Sequence, residues 1–217
     1  MKITLPKIYP ITDRKLSGLS HSEQVAQFAA AGATLIQIRE KHASSLEFYE
    51  EVVQTIAIAR PRGVKIVVND RVEIALLAGA DGVHLGQDDL PPSAARNLLG
   101  DGAIIGVSTH TLEQARRTLS DGVADYIAFG PVFKTTTKAD HEPVAGLEKL
   151  AEIRRETLGA PLVAIGGIGL ENLASVLGAG ADSAAIISEF YRSHGTIEQG
   201  FKERASAATG NNNVVTS

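Results

Sequence analysis

The stretch Ala78-Gly79-Ala80-Asp81-Gly82-Val83-His84-Leu85-Gly86 joins a small, glycine-containing turn to a short apolar run. Such a turn is typical of the end of a helix, and the apolar run is typical of a buried strand. The same pattern recurs at residues 31–39, 121–130 and 179–188. A unit that recurs in this way predicts a repeating architecture in which each helix leads into the next strand.

Four more apolar runs lie between these repeats and bring the number of predicted strands to eight: residues 8–12, 64–68, 103–107 and 161–165. They are rich in β-branched residues or are bounded by glycine, proline or charged residues. The intervening stretches have helical spacing of apolar residues, as at Phe48, Val52 and Ile56. This alternation predicts a parallel sheet with right-handed crossovers, and eight units with paired repeats favour an α/β fold closed into a (β/α)8 TIM barrel.

The chain of 217 residues contains no linker and no change of composition that would divide it. We therefore expect a single domain, and we assign residues 1–205 to the barrel. The helical periodicity is lost from Ser206 onward, so we expect residues 206–217 to form a flexible tail.

The composition excludes several classes of function. The chain has no cysteine, which rules out disulfides and cysteine-ligated zinc and leaves hard cations on oxygen ligands as the expected metals. Its formal net charge of -4 and the lack of a basic stripe argue against a nucleic-acid partner. No apolar stretch has the length of a membrane span or the form of a secretory signal. We expect a cytoplasmic protein that acts on small molecules.

Polar side chains gather where the predicted strands end, which is where barrel enzymes carry their chemistry. Arg39 and Lys41 leave an extended segment on the same face, and Lys138 enters from the loop after strand 6. Together with the hydroxyls of Thr135 and Thr137, these cations predict a site for a diphosphate. Ordinary salt bridges with neighbouring acidic residues at the rim are the alternative.

Acidic residues complement these cations. Asp70 and Asp89 end the neighbouring strands 3 and 4, so their carboxylates are expected to lie close together. Mg²⁺ usually takes one or two carboxylates and binds phosphate oxygens as well, so we predict a shared Mg²⁺. The alternative is that these residues cap the helices that follow.

A second anion site is predicted after strands 7 and 8. Gly166-Gly167 follows strand 7 and Ile187-Ser188 follows strand 8, where many barrels bind phosphate through backbone N–H groups. A plain tight turn is the alternative for the glycine pair. Two anion sites would imply two phosphorylated substrates.

The histidines do not indicate acid–base chemistry. His84 lies in the middle of a strand and is interpreted as a packed core residue, whereas His110 and His141 lie on loops without an evident carboxylate to orient them. Ser108 is close to His110 in the sequence, but no Ser-His-Asp arrangement can be argued from it.

Read together, the motifs resemble those of the thiamine phosphate synthase family over roughly residues 8–200. The Arg-Glu-Lys, Asn-Asp, Gln-x-Asp and Thr-x-Thr-Lys motifs carry the resemblance as a set. They occur, with flanking strand sequences, in seven segments: residues 8–14, 37–41, 68–70, 81–89, 106–110, 130–138 and 164–168. The segment 139–146 matches the family only loosely.

The resemblance implies a role for each matching residue. Contacts to hydroxymethylpyrimidine diphosphate would come from Gln37, Arg39, Lys41, Asn69, Ser108 and Lys138, and its Mg²⁺ would be held by Asp70 and Asp89. The thiazole phosphate would be held by Thr135, Thr137, Gly167, Ile187 and Ser188. We add Ile38, Glu40 and Thr136 to the substrate-binding set, and we take Arg39, Lys41, Ser108 and Lys138 as the catalytic residues.

The reaction implied by the resemblance is an alkyl transfer in thiamine biosynthesis. Pyrophosphate leaves the pyrimidine methylene, and the thiazole nitrogen attacks the resulting carbocation-like centre, with loss of carbon dioxide when the thiazole is carboxylated. Such chemistry requires stabilised leaving-group charge and aligned reactants more than a general base. The alternatives are the related thiazole tautomerase and a catalytically silent phosphate-binding barrel.

Overall fold

The computed structural model describes residues 3–135, 143–157, 159–192 and 195–210. Eight parallel strands form a closed barrel in sequence order, with β8 paired to β1. The strands are β1 (Ile8–Thr12), β2 (Leu35–Ile38), β3 (Lys65–Asn69), β4 (Gly82–Leu85), β5 (Ile104–Thr109), β6 (Tyr126–Phe129), β7 (Leu162–Ile165) and β8 (Ser183–Ile186). The prediction of a single (β/α)8 barrel is confirmed.

Helices connect successive strands and surround the barrel. They are α1 (Arg14–Ser17), α2 (His21–Ala30), α3 (Ser45–Ala59), α4 (Val72–Ala78), α5 (Pro92–Leu99), α6 (Leu112–Ser120), α7 (Gly146–Glu156), α8 (Leu170–Gly178), α9 (Glu189–Arg192) and α10 (Ile197–Ala208), with a 3-10 turn at Arg60–Arg62. Capping boxes start three of them, as at Ser20 with Glu23 in α2. No helix in the described ranges is both long enough and apolar enough to cross a membrane.

The chain's last helix extends past the predicted domain boundary. Helix α10 ends at Ala208, so residues 206–208 belong to the helix and not to a tail. The reason is packing, because Ile197 and Phe201 are buried against the core and Phe201 meets the ring of Phe190. Residues 211–217, the rest of the expected tail, lie outside the described residues.

Two apolar layers hold the fold together. One lies between the barrel and its helices and is formed by residues such as Phe28, Val68 and Leu173. The other fills the barrel itself and contains Tyr9 and Tyr126 among smaller side chains. Because side chains alternate along each strand, one residue of every adjacent pair faces the barrel interior and the next faces the helices.

The repeated Ala-Asp element has a structural role at the N-terminal end of the barrel. Asp81, Asp125 and Asp182 each accept a backbone N–H from the start of the preceding strand, from Ile66, Ile105 and Leu162 at 2.8, 2.8 and 2.9 Å. Arg96 also donates to Asp125 at 2.8 Å. These carboxylates set the register between neighbouring strands at the N-terminal end of the barrel, opposite the mouth where the catalytic residues are predicted. We therefore infer that the Ala-Asp repeat stabilises the fold and takes no part in catalysis.

Candidate active site

The C-terminal mouth of the barrel has two halves of different composition. The charged half follows strands β1 to β4 and contains Asp13, Arg39, Lys41, Asp70 and Asp89. The cavity half follows β5 to β8 and encloses about 660 Å³, part of it open to solvent. Its wall includes Ser108, His110, Thr135, Gly167, Ile187 and Ser188.

In the charged half, Arg39 is held by Asp13. Arg39 Nη1 donates to Asp13 Oδ2 at 3.0 Å, and both side chains are only about one-eighth exposed. The other oxygen of Asp13 accepts the backbone N–H of Leu16 and caps helix α1. Asp13 therefore fixes the guanidinium at the mouth. The position of Asp13 directly after β1 could have marked it as a site residue. Its pairing with Arg39 could not be seen in the sequence, because the two residues are 26 positions apart.

Lys41 forms an ion pair with Asp70. Asp70 is the residue directly after β3, and its φ of 62° places it in the left-handed region. Its backbone N–H donates to the carbonyl of His84 at 2.8 Å, which ties the turn to β4. An aspartate tolerates this conformation better than most residues, but it is still sparsely populated, and such backbones are typical of functional sites.

Asp89 lies next to Asp70. Burial raises the pKa of the Asp89 carboxyl, and the neighbouring negative charge of Asp70 raises it further, although the backbone N–H of Gly86 opposes the shift by donating to Oδ2 at 2.6 Å. Lys41, which is paired with Asp70, offsets part of the repulsion between the two carboxylates, and a divalent cation between them would offset more. The pair therefore fits a divalent ion that completes its shell with water and phosphate oxygens. No larger cluster of His, Asp and Glu suited to a metal occurs among the described residues.

The structure does not bring Ile38 or Glu40 to the mouth through their side chains. Ile38 is fully buried in the layer between barrel and helices, as the alternation from inward-facing Gln37 requires. Glu40 Oε1 accepts the backbone N–H groups of three successive residues, 41, 42 and 43, at 2.8, 2.7 and 3.3 Å. The carboxylate of Glu40 thus shapes the loop that carries Lys41, and we assign it a positioning role.

Three predicted substrate residues face the barrel interior just below the mouth. Gln37, Asn69 and Ser108 are all buried polar side chains on β2, β3 and β5. Gln37 Nε2 donates to Tyr9 Oη at 3.4 Å, and Ser108 Oγ lies 2.9 Å from His84 Nε2. Ser108 also lines the cavity half, so it connects the interior to the site.

The pair of Ser108 and His84 is not an activated nucleophile. The other ring nitrogen of His84, Nδ1, lies 3.0 Å from the phenol oxygen of Tyr126. Burial raises the pKa of that phenol well above its usual value, so it stays neutral. A neutral phenol does not stabilise an imidazolium as a carboxylate does in a hydrolytic triad. Ser108, His84 and Tyr126 therefore do not form a hydrolytic triad.

Backbone geometry shapes the cavity half. Gly167 has a φ of 63°, and a Cβ at this position would lie 2.5 Å from the carbonyl oxygen of Lys134. Only glycine therefore allows the loop after β6 to close on the turn after β7. His110 donates from Nδ1 to the carbonyl of Gly130 at 2.6 Å, which is the orienting partner that sequence reasoning did not find.

The loop after β6 is only partly described. Thr135 lines the cavity, and its predicted contact to a substrate phosphate stays a prediction. Thr136, Thr137 and Lys138 lie outside the described residues, and so does His141. Their predicted roles therefore stay predictions.

Comparison with known proteins connects this geometry to a family. The family model described as thiamine monophosphate synthase matches residues 8–190. The chain is 46% identical over 183 residues to the thiamine-phosphate synthase of Chloroflexus aurantiacus, covering 84% of this chain and 83% of that protein. It is 50% identical over 183 residues to the enzyme of the same name from Syntrophomonas wolfei, covering 83% and 86%.

A solved structure gives the same result. The thiamine phosphate pyrophosphorylase of Pyrococcus furiosus superposes with a TM-score of 0.84 at 36% identity, and the match covers 94% of this chain and 96% of that one. The match to the family model extends from the start of β1 into helix α9, and so includes both halves of the mouth. The chain therefore belongs to the thiamine monophosphate synthase family.

Proposed function

We propose that this chain is a thiamine phosphate synthase, a transferase that joins a pyrimidine diphosphate to a thiazole phosphate and releases pyrophosphate. The observation that carries the proposal is the division of the mouth into a half with paired charges and a cavity whose wall, among the described residues, contains no Asp, Glu, Lys or Arg. Ser108 lies between the two. This division suits two phosphorylated small molecules that must meet in one site.

In this proposal the diphosphate lies in the charged half. Arg39 and Lys41 stabilise the negative charge that grows on the leaving pyrophosphate, and Lys138 joins them from the loop after β6. Asp70 and Asp89 would hold Mg²⁺, which would supply positive charge to the diphosphate. Gln37, Asn69 and Ser108 contact the pyrimidine ring. Because Lys41 is paired with Asp70, its ammonium is held at the mouth.

The thiazole phosphate occupies the cavity half. Its phosphate contacts Thr135, Gly167 and Ser188 together with Thr137, and Ile187 packs beside the ring. The apolar side chains of Ile165 and Ile168 in the same wall suit a heteroaromatic ring. Aligning the thiazole nitrogen with the pyrimidine methylene is then the main contribution of this half. Carbon dioxide is also released when the thiazole carries a carboxylate.

The setting of the reaction follows from the same chemistry. Both substrates are small molecules, and the proposal requires no nucleic-acid or membrane partner. We further propose that the enzyme acts in the cytoplasm, because a chain without cysteine has no disulfides that would need an oxidising compartment.

The direct test is an assay of the purified chain with Mg²⁺ and both substrates. We expect pyrophosphate release that depends on both substrates, with thiamine phosphate identified by mass spectrometry. Absence of product from a folded protein would overturn the proposal. Isomerisation of a thiazole phosphate alone would indicate a tautomerase, and binding without turnover would indicate a silent barrel.

A further inference from the structure

A continuous chain of hydrogen bonds crosses the barrel interior and ends at Ser108. Gln37 Nε2 donates to Tyr9 Oη at 3.4 Å, and Tyr9 Oη lies 3.1 Å from Tyr126 Oη. Tyr126 Oη lies 3.0 Å from His84 Nδ1, and His84 Nε2 lies 2.9 Å from Ser108 Oγ. All five side chains are buried, so water does not supply alternative partners readily.

The number of protons available determines which group donates in each of these hydrogen bonds. Each phenol has one proton to donate, and a neutral imidazole has one N–H. Gln37 donates to Tyr9, and among the described residues the other partner of the Tyr9 hydroxyl is Tyr126. Because a buried hydroxyl rarely leaves its proton unpaired, the proton of Tyr9 is directed to Tyr126. The proton of Tyr126 is then directed to His84 Nδ1, which leaves the imidazole proton on Nε2, facing Ser108.

Packing holds the rings of this chain in place. The Tyr126 ring stacks on His84 with centroids 5.6 Å apart, and it meets Tyr9 edge-on at 6.0 Å. Gly106 provides the space, since a Cβ there would lie 2.0 Å from Tyr126 Cζ. Burial raises the pKa of Tyr9 to about 12 and that of Tyr126 well above its usual value. Both phenols therefore keep their protons at neutral pH and act as donors.

We propose that Tyr126 and His84 are positioning residues that make the Ser108 hydroxyl a hydrogen-bond donor toward the substrate. Since Ser108 Oγ accepts from His84, its own proton is directed to the mouth, where it meets an acceptor atom such as a ring nitrogen. The identity of that acceptor rests on the proposed function, in which the pyrimidine contacts Ser108. The direction of the hydrogen-bond chain does not depend on it.

The direction is tested by the tautomer of His84 in the full-length protein without substrate. Long-range proton–nitrogen NMR distinguishes the two neutral tautomers, and comparison with His84→Gln identifies the signals. We expect His84 to carry its proton on Nε2 only. Tyr126→Phe keeps the stacked ring but removes the donor to Nδ1, so a second tautomer should appear. A proton on Nδ1 in the unmodified protein, or an unchanged tautomer in Tyr126→Phe, would overturn the proposal.

Two further variants keep this test interpretable. Tyr191→Phe is the matched control, because it removes a buried phenol that bonds Gln24 and the carbonyl of Ile11, outside the chain that ends at Ser108. We expect the His84 tautomer to be unchanged there. If Tyr126→Phe does not fold, Tyr9→Phe interrupts the chain one bond earlier, and it should also allow a second tautomer.

The consequence for substrate binding is tested by a double-mutant cycle. Ser108→Ala and Tyr126→Phe should each raise the KM for the pyrimidine diphosphate by about tenfold, as expected for one lost hydrogen bond in a buried site. If Tyr126 acts through Ser108, the double variant should be no worse than Ser108→Ala alone. Multiplying effects would contradict the proposal. If the unmodified protein makes no product, the proposed function is refuted. The NMR result would still decide which nitrogen of His84 carries the proton.

Discussion

The two halves of the barrel mouth differ in the material that builds them. The charged half consists of ionised side chains fixed in pairs, as Arg39 with Asp13 and Lys41 with Asp70. The cavity half consists of backbone, hydroxyl and apolar groups around turns that only glycine permits, as at Gly167. Fixed charges suit a highly charged leaving group, and a shaped wall suits alignment of a ring. This difference fits the proposal that each half binds a different substrate.

The largest effect is expected from Asp70→Asn in the charged half. Asparagine accepts the left-handed backbone of Asp70, so the variant should fold, but it removes one of the two carboxylates that face each other. Losing this charge should lower kcat/KM by about 10²-fold or more, by analogy with other groups that stabilise developing charge. Pyrophosphate release measured over a range of Mg²⁺ concentrations checks this.

Asp88→Asn is the matched control, because it removes the same charge one residue before Asp89. We expect its turnover to stay within about twofold of the unmodified chain, as for a surface substitution. Equal losses in Asp70→Asn and Asp88→Asn would show that net charge at the mouth matters and that the carboxylate pair does not.

A smaller and more selective effect is expected from Gly167→Ala in the cavity half. The added Cβ would lie 2.5 Å from the carbonyl oxygen of Lys134 and would displace the loop after β6. We expect the KM for the thiazole phosphate to rise by about tenfold, the size of one lost polar contact, while the KM for the pyrimidine diphosphate changes little. Gly79→Ala has a similar φ of 68° with no atom near the new Cβ, so it controls for backbone strain. Equal changes in both KM values would break the division between the halves.

The loss of activity at low pH should come from the charged half alone. Burial and the charge of Asp70 raise the pKa of Asp89, so protons compete with Mg²⁺ for this carboxylate at a higher pH than for an ordinary aspartate. Apparent Mg²⁺ affinity should therefore fall as the pH falls through this pKa, by up to about tenfold per pH unit. Thiazole phosphate binding over the same range should show no such loss. If added Mg²⁺ does not move the loss of activity to lower pH, Asp89 is not the group whose protonation causes it.

The smallest effect on activity is expected at the opposite end of the barrel. Asp125 accepts from Ile105 N and from Arg96 at 2.8 Å each, and it joins β5 to β6 far from the mouth. Asp125→Ala should lower the free energy of unfolding by about 1–3 kcal/mol, because it leaves a buried donor unpaired. Denaturant unfolding measures this loss, and kcat/KM should stay unchanged at temperatures where the variant is folded. A large loss of turnover would show that the two ends are coupled.

Most of the fold could be predicted from the sequence. The runs predicted at residues 8–12, 64–68, 103–107 and 161–165 begin within one residue of β1, β3, β5 and β7, and the other four strands lie inside the four repeats. The reason is that a buried parallel strand is a short apolar run between turn residues. The predicted start of the tail at Ser206 was wrong, because helix α10 continues to Ala208. The last turn of this helix is polar and alanine-rich, and it is held by the packing of Ile197 and Phe201 in the earlier turns. Such tertiary support leaves no local signal.

The site was predictable only in part. Charged residues at strand ends predicted Arg39, Lys41, Asp70 and Asp89 as site residues, and the structure places these four side chains in the charged half of the mouth. The role of Glu40 was missed, since its partners are backbone groups of its own loop. The network through His84 was missed as well, because it joins residues as far apart as Tyr9 and Tyr126, 117 positions along the chain.

The binding of different substrates by the two halves is tested most directly by measuring the affinity of each ligand by calorimetry. Mg²⁺ with pyrophosphate, and thiazole phosphate by itself, are each titrated into the unmodified chain, Asp70→Asn and Gly167→Ala. We predict that Asp70→Asn weakens only Mg²⁺-pyrophosphate binding and that Gly167→Ala weakens only thiazole phosphate binding. Loss of both ligands in either folded variant would contradict the account.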